Sequence, residues 1–182
     1  MNEQQKRKVS TFMSLVLRHK PEEIGLQLDE NGWALVSDLI SKMNGKGHAL
    51  DFENLEEIVA TNDKKRFAFN DDKTKIRASQ GHSVAIDLAL IESTPPETLF
   101  HGTVEKFIIE IKTNGLLKMS RQHVHLSKDK ETAIKVGSRR GNPILLIVNS
   151  IKMHEDGYHF YQSENGVWLT DHVPTKYIQF QS

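Results

Sequence analysis

The side chains in this chain best suited to chemistry are His and Arg, and they gather at the ends of segments. Arg18 and His19 adjoin at the close of an apolar-periodic stretch. Arginine offers a planar fork of donors and histidine one more, a pair that can clamp an anion. Cations at a helix C-terminus also complement the helix dipole, which accounts for the pair without any ligand. Lys64-Lys65-Arg66 precedes an alternating strand and Arg77 lies on the next one, as a solvated charged wing or as a set of phosphate contacts. His101-Gly102-Thr103 is expected to end a strand and open a helix. Glycine there permits close backbone approach and the helix start adds a positive dipole end, although a strand-ending turn reads the same way. His123 and His125 share one face of a strand, yet their spacing suggests no third ligand, so no metal is expected. Val136 to Gly141 holds Arg139 and Arg140 in a glycine-flanked loop whose plain reading is a connection with glycine at a helix end. Trp168, after the turn at Asn165-Gly166, reads as core.

Composition removes several classes of function. The 182 residues include no cysteine, which excludes disulfides, thiolate metal sites and a cysteine nucleophile. Lys and Arg total 24, as do Asp and Glu. The balance repeats locally, 13 against 13 in residues 1–80 and 11 against 11 in residues 81–182. A protein relying on diffuse attraction to a phosphate backbone carries a basic excess, so phosphate recognition here has to come from a few placed cations. Phosphate-binding P-loops, GxGxxG, GxSxG and HExxH are missing. There is no apolar run of about 18 residues and no signal-like N-terminus, and a cytoplasmic protein is expected.

Several elements must position these residues. Val9, Phe12, Met13, Val16 and Leu17 recur at helical spacing, and Pro21 stops that helix near Arg18 and His19. Leu26 and Leu28 suggest a short strand before a turn at Asp29 to Gly32. A second helix buries Val36, Leu39, Ile40 and Met43 and ends at Gly45 and Gly47. Asp51 caps a third helix carrying Leu55, Ile58 and Val59. Phe67 and Phe69 pair across Asn70-Asp71-Asp72 with Ile76 in a hairpin. Three helices followed by a hairpin is the order of a winged helix-turn-helix, a scaffold shared by many functions. His82 to Glu92 is apolar enough for a strand or short helix, and Ser93-Thr94-Pro95-Pro96 is the clearest break. Six short strands follow, over 98–101, 124–127, 144–148, 160–162, 167–170 and 177–180. Helical stretches are expected over 104–113 and 129–136. The fold class is α+β, with lobes at 1–92 and 97–182.

Taken together, these pieces resemble the RNA 2'-phosphotransferase (tRNA 2'-phosphotransferase) family along nearly the whole chain. The matching stretches are MSLVLRHKP from Met13, NGWALVSDLI from Asn31, KKRFAF from Lys64, IRASQGHS from Ile76, LFHGT from Leu99, SRQHVHLS from Ser120, VGSRRGNP from Val136 and NGVWLT from Asn165. Eight collinear blocks are specific where any one is not.

The resemblance implies an N-terminal winged-helix-like lobe that handles RNA and phosphate. It implies a C-terminal lobe of the ADP-ribosyltransferase fold that binds NAD as co-substrate. The implied activity removes an internal RNA 2'-phosphate, as in tRNA splicing, through an ADP-ribosylated intermediate. Its products are nicotinamide, ADP-ribose 1'',2''-cyclic phosphate and RNA with a free 2'-OH. The family's essential residues fall on Arg18, His19, Arg66 and Arg139. The dinucleotide residues fall on His101, Gly102, Thr103, Ser120, Arg121, Gln122, His125 and Ser127. The family often has His after the loop arginine where this chain has Arg140, which makes Arg140 a competitor of Arg139. A small apolar residue near Val167, where protein-modifying transferases often place Glu, argues against protein ADP-ribosylation. Two alternatives stand beside this reading: ADP-ribosylation of nucleic-acid terminal phosphates, and a non-catalytic winged-helix regulator. The partners expected are RNA bearing an internal 2'-phosphate and NAD, with no membrane, and the chain is expected to be a monomer.

Overall fold

The computed structural model describes residues 1–181, and the fold is mixed α and β. The chain forms two compact units, Met1–Ala89 and Leu90–Ser182.

In the first unit, helix α1 (Glu3–Arg18) opens with a reciprocal cap. Asn2 accepts from the Gln5 N–H at 2.8 Å, and the Gln5 side chain accepts from the Asn2 N–H at 2.9 Å. Val9, Met13, Val16 and Leu17 form its buried stripe, as their spacing predicts. His19 leaves helical geometry at φ −127°, and Pro21 starts a 3-10 turn, Pro21–Ile24. After β1 (Ala34–Leu35) come α2 (Val36–Gly45) and α3 (Phe52–Thr61), the latter capped by Asp51, which accepts from the Asn54 N–H at 2.8 Å. β2 (Phe67–Phe69) and β3 (Lys75–Ala78) make the expected antiparallel hairpin, and β1 joins the far side of β3. The three helices bury their apolar faces in one cluster with Phe67, Ile76 and Ala78.

Two expectations fail here. Leu26 and Leu28 form no strand. Their segment leaves the 3-10 turn through Gly25 at φ +64° and reaches Asp29, whose carboxylate accepts from the N–H groups of Asn31 and Trp33. The place beside β3 belongs to Ala34–Leu35 instead. Residues 82–91 form neither strand nor helix, and at the end of the stretch Glu92 makes only an isolated bridge to Tyr161. Their backbone donors go to scattered acceptors: those of Ser83 and Val84 to the Arg18 carbonyl, and that of Asp87 to the Glu30 carbonyl.

The second unit contains two three-stranded antiparallel sheets. One runs in the order β11 (Ile178–Phe180), β7 (Ile144–Val148), β4 (Leu99–Thr103). The other runs β6 (Val124–Leu126), β9 (Trp168–Thr170), β8 (Phe160–Gln162). A two-stranded ribbon joins β5 (Leu116–Leu117) to β10 (His172–Val173). Helices α4 (Ile108–Asn114), α5 (Lys130–Gly137) and α6 (Ser150–Glu155) complete it. Trp168 is core, as expected. The ribbon strands and α6 escape the sequence because each is at most six residues long, too short to establish a period. Among the described residues no helix is long and apolar enough to cross a membrane.

Candidate functional site

In the first unit, three of the expected phosphate-binding residues are tied together by one short segment. Arg18 is the last residue of α1 and His19 its cap. The Arg18 carbonyl accepts from the Ser83 N–H at 2.9 Å, and the His19 Nδ1 lies 2.9 Å from the Ser83 hydroxyl. At the other end, the Arg66 carbonyl accepts from the Ser79 N–H at 2.9 Å, just before β2. Ser79 to Ser83 spans four Cα steps, at most about 14 Å when extended. The segment therefore brings Arg66 within reach of Arg18 and His19, although they are far apart in sequence.

Two neighbours shape the electrostatics. Arg77 does not serve as an exposed wing cation. Its guanidinium stacks over the Trp33 ring, 4.4 Å from the centroid. His82 is 1% exposed, and neither ring nitrogen has a hydrogen-bond partner among the described residues. Burial, reinforced by the charges of Arg18, His19 and Arg77, pulls His82 down to about 3, so it is neutral at physiological pH. The folded value lies below the ordinary 6.5. The unfolded chain therefore binds more protons between those values, and stability falls as pH drops through that window. From pH 7 to 5, His82 is expected to remove on the order of 2 kcal/mol, because each unit below the unfolded pKa costs about 1.4 kcal/mol. Urea denaturation at both pH values checks this. A His82→Gln chain should lose less stability between them than wild type, and an equal loss would refute the assignment.

In the second unit the two sheets meet at one point and then diverge. Phe100 and Ser127 exchange both backbone hydrogen bonds at 2.8 Å, and beyond them β4 pairs only with β7 while β6 pairs with β9. Alternation along β4 points the backbone N–H and C=O of Gly102 to the same edge as those of Phe100, into the diverging part. His101 spans that opening, its Nδ1 2.9 Å from the His125 carbonyl. Burial, with the charges of Arg140 and Arg121, lowers the His101 pKa against the opposing effect of that bond. The ring is neutral, and a carbonyl only accepts, so Nδ1 carries the proton and Nε2 is left as an acceptor. Arg121 lies with a terminal nitrogen 3.2 Å from the His125 Nδ1. Burial and then Arg140 lower the Arg121 pKa. No carboxylate among the described residues forms an ion pair with Arg121, Arg139 or Arg140. Convergent cations without a counter-charge suit an anionic ligand.

The remaining expected residues lie on the elements next to β4 and β6. Ser120, Arg121 and Gln122 lie in the turn before β6, and Arg139 lies exposed in the 3-10 turn Ser138–Arg140 after α5. Thr103 is buried at the end of β4. The helix start expected at Gly102 is absent, because β4 continues to Thr103 and the next turn begins at Glu105. Packing also calls for glycine at this position: a Cβ on Gly102 would sit 1.8 Å from the Ala133 carbonyl oxygen. Among the described residues no group of three or more His, Asp or Glu could hold a metal ion. Sequence reasoning passed over Ser79, His82 and Ser83. Their signals are a polar run, Ser79-Gln80-Gly81-His82-Ser83, directly after a strand, and its place inside the IRASQGHS motif.

The chain matches the model of the family described as RNA 2'-phosphotransferase, Tpt1 / KptA, over residues 4–172. It therefore belongs to that family of transferases, the one its ordered motifs resemble. A protein of Flavobacterium johnsoniae named a probable RNA 2'-phosphotransferase is 64% identical over 182 residues, the full length of both chains. Proteins of the same name from Rhodopirellula baltica and Fusobacterium nucleatum are 56% and 55% identical. The first covers 94% of each chain, and the second 95% of this chain and 97% of its own.

Proposed function

We propose that this protein removes an internal 2'-phosphate from RNA by transferring it to NAD. In this reading the first unit is a winged-helix-like RNA lobe and the second an ADP-ribosyltransferase-like lobe. Arg18, His19, Arg66 and Arg139 act on the phosphate, a group with close to two negative charges. A phosphate oxygen attacks the anomeric carbon of the nicotinamide ribose. The carbon–nitrogen bond breaks, and nicotinamide leaves with the electron pair. No base is needed, because the nucleophile is already an anion, so the cations work by positioning. The ribose 2''-hydroxyl then gives up its proton as its oxygen attacks phosphorus, the bond to the RNA 2'-oxygen breaks, and that oxygen takes up a proton. His19 is the one member of the set whose side-chain type can exchange a proton in the physiological range, and it serves as proton donor or acid/base group in this second step. The arginines stabilise charge on the phosphoryl oxygens.

The observation that supports this reading is that one segment, Ser79–Ser83, binds the Arg18 and Arg66 carbonyls and the His19 ring. The second unit fits the dinucleotide. The His101 Nε2 can accept from a ribose hydroxyl, and the edge of Gly102 can pair with a carboxamide. Arg121 and Arg140 supply charge for a pyrophosphate. His125 and Ser127 flank the same opening, with Ser120, Gln122 and Thr103 near its rim.

The test is an oligonucleotide bearing one internal 2'-phosphate, incubated with and without NAD and resolved by thin-layer chromatography. Loss of the phosphate is expected only with NAD, with release of nicotinamide and ADP-ribose cyclic phosphate. Dephosphorylation that proceeds without NAD would refute the reading. So would a stable ADP-ribosylated RNA that never loses its phosphate. Arg139→Ala and Arg140→Ala run alongside, and the larger loss is expected for Arg139→Ala.

A further inference from the structure

We infer that Ser83 is a positioning residue that holds the His19 ring in one orientation, and that Ser79 does the corresponding work for Arg66. This rests on the proposed function of His19 and Arg66. The geometry is specific at both ends of one segment. Ser83 engages α1 twice, by its N–H to the Arg18 carbonyl at 2.9 Å and by its hydroxyl to the His19 Nδ1 at 2.9 Å. The ring therefore cannot turn about its bond to the backbone without breaking the second contact. The Ser83 hydroxyl can donate to Nδ1 or accept from it, so in either tautomer the contact engages Nδ1 and directs Nε2 away from Ser83. His19 has left helical geometry at φ −127°, so helix packing alone does not fix its side chain.

Ser79 is also doubly engaged. Its N–H donates to the Arg66 carbonyl at 2.9 Å and its hydroxyl to the Lys65 carbonyl at 3.0 Å. Lys65 has φ +42°, a left-handed conformation that a lysine holds only when its surroundings impose it. The two bonds from Ser79 grip the peptides on either side of Arg66 and keep this turn. Ser79 is 4% exposed, whereas Ser83 lies at the surface, so Ser83 faces the solvent side where an RNA approaches. Gly81 sits between them at φ +84°, and buried His82 anchors the segment.

The test uses the full chain as wild type, Ser83→Ala, Ser83→Thr and Ser79→Ala. Long-range proton–nitrogen NMR reads the His19 ring nitrogens without any substrate. Wild type should show the Nδ1 shift of a hydrogen-bonded nitrogen, Ser83→Ala a displaced Nδ1 shift, and Ser83→Thr, which keeps the hydroxyl, the wild-type pattern. In the 2'-phosphate assay, Ser83→Ala should slow the second step about tenfold, accumulate ADP-ribosylated RNA and shift the pH profile, and Ser83→Thr should restore most of the rate. Ser79→Ala should weaken RNA binding and leave the His19 shifts unchanged. Unchanged ring shifts and an unchanged rate in Ser83→Ala would overturn the inference. A wild-type chain inert toward the 2'-phosphate would instead overturn the proposed function, and the ring shifts would still decide the role of Ser83.

Discussion

Arg18→Ala is expected to abolish dephosphorylation in practice, and His19→Ala is expected to stop the reaction halfway. The two residues are adjacent, so the contrast between them isolates chemistry from location. In the proposed reaction, Arg18 would give a planar donor fork to a phosphate that is nucleophile in the first step and electrophile in the second. Its loss removes positioning and charge stabilisation together, and deleting one such donor typically costs 10²–10³ in rate. No ADP-ribosylated RNA should build up, because the first step is impaired as well. His19 has a different task. With Arg18, Arg66 and Arg139 still holding the phosphate, the first step needs no proton transfer and should continue. The second step requires a proton at the departing 2'-oxygen, where general acid–base help is worth about 10²–10⁴. ADP-ribosylated RNA should therefore accumulate in His19→Ala, as a slower band when an end-labelled oligonucleotide is resolved on a denaturing gel. Lys20→Ala, an exposed neighbour, serves as control and should match wild type. Wild-type turnover by Arg18→Ala would sink the phosphate clamp, and equal slowing of both steps in His19→Ala would sink the division of labour.

Periodicity made the helices of the first unit legible, because Val9, Met13, Val16 and Leu17 repeat over several turns. The hairpin was legible from Phe67 and Phe69 facing Ile76 across polar turn residues. The two-residue strands had no such signal, and neither did 82–91, whose backbone bonds are made to distant carbonyls. Arg18, His19 and Arg66 stood out by residue type and by motif. What ties them did not, since a serine hydroxyl 64 residues from its histidine has no local signature. Arg77 shows the converse. Its charge suggested a solvated wing or a phosphate contact, but the Trp33 ring beneath it gives it a structural partner that no spacing reveals.

Gly102 carries the second large expectation, because the packing around it supplies a reason for glycine that its sequence neighbours did not reveal. Between two functional residues, a glycine suggests close approach of a ligand to the backbone. The packing of α5 on β4 supplies a stronger constraint. A Cβ at Gly102 would lie 1.8 Å from the Ala133 oxygen, 2.7 Å from the Ala133 carbonyl carbon and 3.0 Å from the Gly137 nitrogen. All three are backbone atoms of one helix, so no side chain can swing aside. Relief requires α5 to lift by more than an ångström from the strand that carries His101. Overpacking of a well-filled core usually costs about 1–3 kcal/mol, and a clash with rigid backbone belongs at or above the top of that range. Gly102→Ala should lower the melting temperature by about 10 °C or more in thermal unfolding, with no ligand present. It should also disturb the turn bearing Arg139, which continues directly from α5. Gly137→Ala is the graded comparison. Its Cβ would meet the backbone of Gly102 and Thr103 at 3.0–3.2 Å, a gap that a shift of a few tenths of an ångström relieves, so a smaller fall is expected. If Gly102→Ala melts with wild type yet fails to bind NAD, the glycine serves the ligand. If it melts early in the absence of NAD, the helix is what required it, and the open edge of β4 is a consequence of that packing.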